Sequence, residues 1–175
     1  SVVMHLHAQV NVNMPFNTGP TTYSISPPAT CSFNFYDDGG PLGNYSGMSN
    51  PAQSVVTFAP SNPAYKIRVI FQEFGVDPFF DALYAYDGPN GAAPQISSGN
   101  PGIFVSKPGG FWGAIPPNNI AANTIQATGA NASGALTFQF ESDPTPNPPA
   151  YPGWVASVVE LNVGACQLQA PAAVS

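Results

Sequence analysis

The chain has 175 residues, with 9 acidic and 3 basic side chains and a formal net charge of -6. A chain of this length buries about 70% of the surface that its unfolded form exposes, which is enough for one hydrophobic core. Because Lys66, Arg68 and Lys107 are its only cations, it lacks the positive surface that binds nucleic acid or an anionic membrane. The charge therefore argues against both partners.

The composition favours an all-β protein. Hydrophobic residues make up 43% of the chain and aromatic residues 12%, which argues against disorder, while 17 Gly and 21 Pro argue against a helical fold. No apolar run reaches the roughly 18 residues that a membrane-spanning helix needs, so we expect no membrane insertion. Only 7% of the residues are charged, and a surface so poor in charge favours association. This is typical of a secreted protein that assembles or adheres.

The first 14 residues alternate strictly between apolar and polar side chains. This period of two predicts a long, half-buried strand over residues 1–14, followed by a Pro-, Gly-, Thr- and Ser-rich linker over residues 15–30. The apolar positions are Val2, Met4, Leu6, Ala8, Val10, Val12 and Met14.

An unpaired strand of this kind exposes both its backbone and its apolar face. It has three possible destinations: the edge of its own sandwich, a neighbouring subunit, or removal as the end of a signal peptide near residues 5–9. Donation to a neighbour is the mode of pilin-type assemblies and, because the contact is head-to-tail, it gives an open fibre. We expect donation, with pairing inside the chain as the alternative.

Short apolar runs separated by turn clusters follow, which is typical of a β-sandwich. The predicted strands cover residues 32–36, 54–58, 66–74, 82–86, 111–115, 124–127, 135–140 and 154–161. The predicted core consists of their aromatic and β-branched side chains: Phe33, Phe35, Val56, Phe58, Ile67, Val69, Phe71, Leu83, Leu136, Phe138, Phe140, Trp154 and Val158. Residues 167–175 are expected to form a C-terminal tail.

The two cysteines, Cys31 and Cys166, bracket most of the chain. Their wide separation is unlike a metal-binding or redox pair and fits a single closing disulfide, with two unrelated buried thiols as the alternative. In an oxidising compartment, such a long loop could gain about 5 kcal/mol of stability in the chain-entropy model.

Residues 31–166 resemble the CUB domain family, in particular the CUB-like modules of secreted bacterial proteins. The resemblance is carried by Cys31 and Cys166, FYDDGGPLGNYS at residues 35–46, IRVIFQEFGVDPFFDALYAYDG at residues 67–88, GALTFQFESD at residues 134–143 and GWVASV at residues 153–158. It implies a jellyroll-like β-sandwich, here with an extended N-terminal strand.

The resemblance also implies one Ca²⁺ bound by Asp77, Asp81 and Asp143, with Tyr45 near the ion. Asp77 stands where animal members usually have Glu. The chemistry is suitable, since Ca²⁺ takes six to eight oxygen ligands. Three neighbouring carboxylates would otherwise repel one another and have raised pKa values. The alternative is that these aspartates only stabilise turns.

No catalytic arrangement is evident. The pairs Asp37–Asp38 and Glu141–Asp143 cannot flank a scissile bond from opposite sides, and the sandwich contains no histidine for a nucleophilic triad. His5 and His7 form the polar side of the N-terminal strand, although an i, i+2 pair could bind a metal. The aromatic pairs Phe79–Phe80 and Phe111–Trp112 belong either to the core or to an exposed contact surface.

The sequence thus predicts a secreted, non-enzymatic, calcium-stabilised CUB-like subunit. We expect it to assemble into an extracellular filament by donating its N-terminal strand. The alternative is a monomeric module that binds an extracellular protein or glycan.

Overall fold

The computed structural model describes residues 9–27, 29–102, 107–114, 123–144 and 151–161. Within these ranges the named elements are β-strands and a short 3₁₀ turn over Gly40–Leu42, which confirms the all-β prediction. No helix in the described ranges is long and apolar enough to cross a membrane.

Eleven strands are described. They are β1 (Val10–Asn13), β2 (Thr21–Ser24), β3 (Ser32–Tyr36), β4 (Val55–Ala59), β5 (Lys66–Val76), β6 (Ala82–Tyr86), β7 (Gln95–Ile96), β8 (Gly113–Ala114), β9 (Thr124–Gln126), β10 (Leu136–Glu141) and β11 (Gly153–Leu161). The bounds of β3 and β6 agree with the sequence prediction, whereas β2 and β7 were not predicted. Of the predicted strand over residues 111–115, Gly113–Ala114 form β8, and residue 115 lies outside the described residues.

The strands form two packed sheets. One has the order β1-β3-β11-β5-β8, with β9 also paired to β5, and the other has the order β2-β4-β10-β6-β7. Aromatic rings from both sheets meet between them: the Phe35 ring centroid lies 5.1 Å from that of Phe58, 5.4 Å from that of Phe138 and 5.5 Å from that of Trp154. All the side chains predicted to form the core are buried.

The N-terminal segment pairs with its own chain. β1 lies parallel to β3, in a register that joins Val10 to Phe33 and Asn13 to Tyr36. Val12 and Met14 are buried in the core of the same chain. For residues 10–14 this is the edge-strand alternative, and it differs from the expected donation of these residues to a neighbour.

Several predicted features lie outside the described residues. They are the apolar positions Val2, Met4, Leu6 and Ala8, the histidines His5 and His7, Cys166, and the C-terminal tail over residues 167–175.

The predicted linker over residues 15–30 also contains a strand. β2 lies parallel to β4, the Tyr23 ring packs against Phe33 and Phe58 of the two sheets, and Ile25 is buried. One continuous segment therefore supplies the outermost strand of both sheets along the same side of the sandwich. We call residues 9–25 the N-terminal strap.

Asn17 fixes the point where the strap crosses between the sheets. Its backbone has φ 54, a left-handed conformation that Asn adopts more readily than most residues. Its amide Nδ2 donates to the carbonyl of Met48 (2.9 Å), and its Oδ1 accepts hydrogen bonds from the Asn50 N–H (2.7 Å) and the Ser54 hydroxyl (3.2 Å). These contacts join the strap to the segment that leads into β4.

Candidate functional site

Three segments meet at one end of the sandwich: residues 45–49, the loop over residues 77–81 between β5 and β6, and residues 142–143 after β10. The Met48 N–H donates to the carbonyl of Asp143 (2.7 Å) and the Ser49 N–H donates to the Ser142 hydroxyl (2.9 Å). The Ser142 hydroxyl in turn donates to the carbonyl of Ser46 (2.8 Å). These bonds hold Ser142 and Asp143 against the segment that follows Tyr45.

Asp81 lies at the centre of this end and is fully buried. Its Oδ2 accepts a hydrogen bond from the Tyr45 hydroxyl at 2.7 Å, and its Oδ1 accepts one from the Asp143 N–H at 2.7 Å. The Tyr45 oxygen also accepts a bond from the Asp77 N–H at 3.0 Å. The structure thus brings the four residues predicted from the family resemblance together around one buried carboxyl group.

The carboxyl groups at this end affect one another electrostatically. Burial raises the pKa of Asp81 to about 6; the bonds from Asp143 and Tyr45 oppose this rise, and the nearby charges of Asp143 and Asp77 add to it. Burial and the Asp143 charge also raise the pKa of Asp77, although a hydrogen bond with Tyr151 opposes the change. The Tyr45 pKa lies well above its usual value because of burial and the Asp81 charge. Carboxylate repulsion of this kind is relieved by a cation.

The three basic side chains of the protein bond to oxygens elsewhere. Lys66 donates to the Asn131 carbonyl, Arg68 to the Gln126 side chain and Lys107 to the Tyr86 hydroxyl. The Lys107 ammonium also lies 4.9 Å from the centroid of the Tyr86 ring.

The three predicted calcium ligands do not form a metal-binding cluster. In the described part of the chain, no three His, Cys, Asp or Glu side chains are grouped so that they could hold a metal ion. The oxygen donors of Asp77, Asp81 and Asp143 suit Ca²⁺ chemically, and they lie close enough to interact electrostatically. The residues fit Ca²⁺ in donor type and proximity, without a complete set of ligands around one point.

Two aromatic side chains project from the loop between Asp77 and Asp81. Phe79 is 56% exposed and Phe80 is 43% exposed, whereas Phe111 and Trp112 are buried. The Phe79 ring centroid lies 4.6 Å from that of Trp112, and Phe79 has φ 70. A bulky residue in this left-handed region costs about 1–3 kcal/mol, and such strain clusters at functional sites. The expected contact surface is therefore limited to Phe79 and Phe80.

The carboxyl pair Asp37–Asp38 has a structural role. Asp37 is buried and accepts hydrogen bonds from the Gly39 N–H (2.7 Å) and the Trp154 N–H (3.1 Å). Asp38 accepts a bond from the Ser46 N–H at 3.0 Å. Burial raises the pKa of Asp37 to about 7, partly offset by the bonds from Gly39 and Trp154. Asp37 thus links the loop after β3 to the start of β11, a role that the sequence pattern does not reveal.

Asp87 belongs to the Asp-Gly motif of the family resemblance and follows β6, at the end of this strand opposite Asp81. It accepts bonds from the Thr128 N–H (3.0 Å), the Thr128 hydroxyl (2.5 Å) and the Asn131 side chain (2.7 Å). These bonds and the nearby Lys66 charge lower the pKa of Asp87 despite its burial. The motif therefore serves the packing of the loop before β10.

Comparison with known proteins supports the fold and leaves the family open. No family model matches the chain, and no curated protein matches it either. Among solved structures, the chain is similar to one described as the CUB1-EGF-CUB2 domains of rat MASP-1, with 13% sequence identity and a TM-score of 0.52. The match covers 84% of this chain and 44% of that one, so the protein spans less than half the length of that structure. The protein has a CUB-like β-sandwich fold.

Proposed function

We propose that this protein is a secreted, non-enzymatic structural module that assembles into an extracellular filament through its N-terminal segment. The CUB-like fold supports a protein-binding or structural role, and domains of this fold are typically extracellular. The low charged fraction of 7% supports association, because charge is what normally keeps protein surfaces apart.

The observation that carries this proposal is the register of β1 on β3. Val10 lies opposite Phe33 in a parallel pair. Because β3 begins at Ser32, its first residue lies opposite residue 9. Before β3 the chain turns back, and Thr30 pairs with Ser26. The apolar alternation nevertheless continues upstream of β1 through Val2, Met4, Leu6 and Ala8.

Residues 1–8 would add roughly 26 Å if they continued as a strand, which is longer than the β1–β3 ladder of the described residues. An apolar strand edge without a partner favours association with another chain. In this proposal the edge of a second copy provides that partner.

Two charged substitutions on the apolar side test the proposal. Met4→Asp with Leu6→Asp should abolish filament formation without changing the Tm of the monomer. Negative-stain electron microscopy and light scattering measure filament formation. His5→Asp with His7→Asp adds the same charges on the polar side and should leave the filaments intact. Filaments of unchanged length and number in the Met4/Leu6 variant would show that donation through residues 1–8 is wrong.

Calcium binding is a further part of the proposal. Asp77, Asp81 and Asp143 would hold the ion, with Tyr45 beside it, and the bound cation would supply the positive charge that relieves carboxylate repulsion. Extracellular modules of this kind bind Ca²⁺ at roughly 0.1–1 mM. At that affinity the ion would keep the three segments of the loop end rigid rather than act as a signal.

A disulfide between Cys31 and Cys166 completes the proposal, because oxidising extracellular compartments preserve such bonds. Thiol labelling of the unfolded, unreduced protein should find no reactive cysteine. Labelling of both cysteines would contradict the disulfide.

A second candidate function is a monomeric module that binds a protein or glycan through the loop end. The strained and exposed Phe79, next to Phe80 and the aspartates, is the observation that favours it. Phe79→Ala with Phe80→Ala should weaken binding to a glycan array if this function is correct. The filament proposal instead predicts that this variant assembles like the wild type.

A further inference from the structure

The N-terminal strap has the features of a detachable element. It carries no charged residue and no cysteine, so neither an ion pair of its side chains nor a disulfide can hold it to the sandwich. Cys31 lies after the strap in the chain, and any bond between Cys31 and Cys166 would leave the strap outside the closed covalent loop.

The pairing of the strap is also of the weaker type. β1–β3 and β2–β4 are parallel pairs of four residues each, whereas the other pairs among the described strands are antiparallel. Parallel ladders are slightly less stable per residue than antiparallel ones. Strands this short at the outer edge of both sheets are the natural place for the sandwich to open.

Removal of the strap would leave a slot that suits this same segment. The outer edges of β3 and β4 would lose their ladder partners, and the core would lose Val12, Met14 and Ile25. The Tyr23 ring, which lies 5.9 Å from that of Phe33, would also be lost from the space between the sheets. Since every copy of the chain carries an identical strap, a second copy can restore each of these contacts.

We propose that this slot accepts the strap of a second copy, so that residues 9–25 are exchanged between molecules. This inference rests on the proposed self-assembly and names its donor and acceptor. The hinge is the turn closed by two hydrogen bonds between Ser26 and Thr30, each 2.9 Å long. Exchange of an identical element is a low-cost route to association because it reuses the contacts of the single chain. Head-to-tail exchange gives an open fibre, and reciprocal exchange gives a closed dimer.

Cysteine trapping across β1 and β3 tests the exchange. Asn11 and Asn34 are register partners, and their exposed side chains share a hydrogen bond of 2.8 Å. Asn11→Cys and Asn34→Cys chains with tags of different size are co-expressed, oxidised and separated without reductant. Exchange predicts a disulfide between the two kinds of chain wherever an Asn11→Cys strap lies in an Asn34→Cys acceptor, which is about half of the mixed contacts in a fibre and every mixed closed dimer.

The matched control uses Gln72→Cys and Ser157→Cys, whose exposed side chains are bonded at 2.9 Å across β5 and β11. These strands lie inside the body of the sandwich, so this pair should give no disulfide between chains. A disulfide between chains at positions 11 and 34, without one at positions 72 and 157, supports exchange in filaments and in closed dimers alike.

Two other outcomes overturn the inference in distinguishable ways. If the assembled fraction forms but the Asn11→Cys/Asn34→Cys double variant closes only within single chains, exchange is wrong and self-assembly stands. If the wild-type protein remains monomeric at every concentration, the proposed self-assembly itself fails, and exchange fails with it.

Discussion

The hydroxyl of Tyr45 donates a 2.7 Å hydrogen bond to Oδ2 of the buried Asp81, joining the loop after β3 to the start of β6. Tyr45→Phe should remove this bond and keep the ring packing on Phe140, whose centroid lies 4.9 Å away. We expect a loss of about 1–3 kcal/mol in the free energy of unfolding, because a buried acceptor loses its donor. Urea titration measures it.

A double-mutant cycle isolates the pair. Asp81→Asn and the Tyr45→Phe/Asp81→Asn variant complete it, and the losses should be clearly non-additive, since the two side chains are in direct contact. Additive losses would show that the hydrogen bond contributes nothing of its own.

Calcium should raise the melting temperature. With a dissociation constant of roughly 0.1–1 mM, 10 mM Ca²⁺ would stabilise the folded protein by about 1–3 kcal/mol. Differential scanning fluorimetry in Ca²⁺ and in EDTA measures the difference. Asp143→Asn should abolish it, whereas Asp38→Asn, which changes a carboxyl group outside the predicted ligand set, should preserve it. The same Tm in Ca²⁺ and EDTA for the wild type would remove calcium from the proposal.

Stability should fall as the pH rises from about 4 to 7. The pKa of Asp37 is raised from 3.8 to about 7, so the folded protein binds this proton more tightly than the unfolded chain does. The stabilisation is complete below the pKa that Asp37 has in the unfolded chain, and it is lost as the pH rises through the pKa that Asp37 has in the folded protein. The free energy of unfolding then falls by at most about 1.4 kcal/mol per pH unit. Asp81 and Asp77, whose pKa values are also raised, act in the same direction.

Asp37→Asn removes one of these contributions. It should make the free energy of unfolding depend less steeply on pH, whatever the effect of the substitution on absolute stability. Asp87, whose pKa is lowered, acts in the opposite direction at the acid end. Urea unfolding in EDTA at several pH values measures the slope without calcium. Equal slopes for wild type and variant would mean that Asp37 keeps an ordinary pKa.

Gly153→Ala should destabilise the protein severely, by about 3 kcal/mol or more. Gly153 has φ 80, and a Cβ atom there would lie 2.0 Å from Oδ2 of Asp37, so the substitution combines backbone strain with a clash against a buried carboxylate. Gly129→Ala is the matched control, because nothing lies within 4 Å of its Cβ position. Similar unfolding midpoints for both variants in urea would contradict this arrangement of Asp37 and Gly153.

Met14→Ala should destabilise the protein by about 2–5 kcal/mol, because Met14 is buried in the core and its truncation leaves a cavity. Leu42→Ala changes a fully exposed side chain and should stay within about 0.5 kcal/mol of the wild type. Chemical denaturation of both variants tests whether the strap is an integral part of the folded unit. A neutral Met14→Ala would show that it is not.

The strands that could be predicted from the sequence are those with a clear pattern of apolar residues between turns. β3 and β6 carry dense aromatic and aliphatic side chains between strong turn signals, and tertiary contacts did not alter their bounds. β2 was missed because Tyr23 is its only large apolar residue and its flanks are rich in Pro and Gly. Its strand conformation comes from the ladder that β4 provides, which local sequence does not reveal.

Within the described residues, the N-terminal pattern correctly predicted strand conformation at Val10–Asn13. It could not predict the parallel pairing with β3, because an alternating pattern does not say which strand provides the ladder. At the loop end, the family resemblance brought Tyr45, Asp77, Asp81 and Asp143 together. It could not reveal that both Asp81 oxygens accept hydrogen bonds within the protein or that Phe79 has a left-handed backbone, because both follow from three segments meeting in space.

The strap also has a consequence for proteolysis. Because a single peptide segment borders both sheets, one cut after β2 separates both border strands from the rest of the chain. A protease that cut the chain once between Ile25 and Cys31 would free a fragment containing β1 and β2 together. The remaining body would keep the other nine described strands but lose the edge strand of each sheet on that side. Limited digestion would then convert an intact molecule into a truncated one in a single step, with no intermediate that retains one border strand.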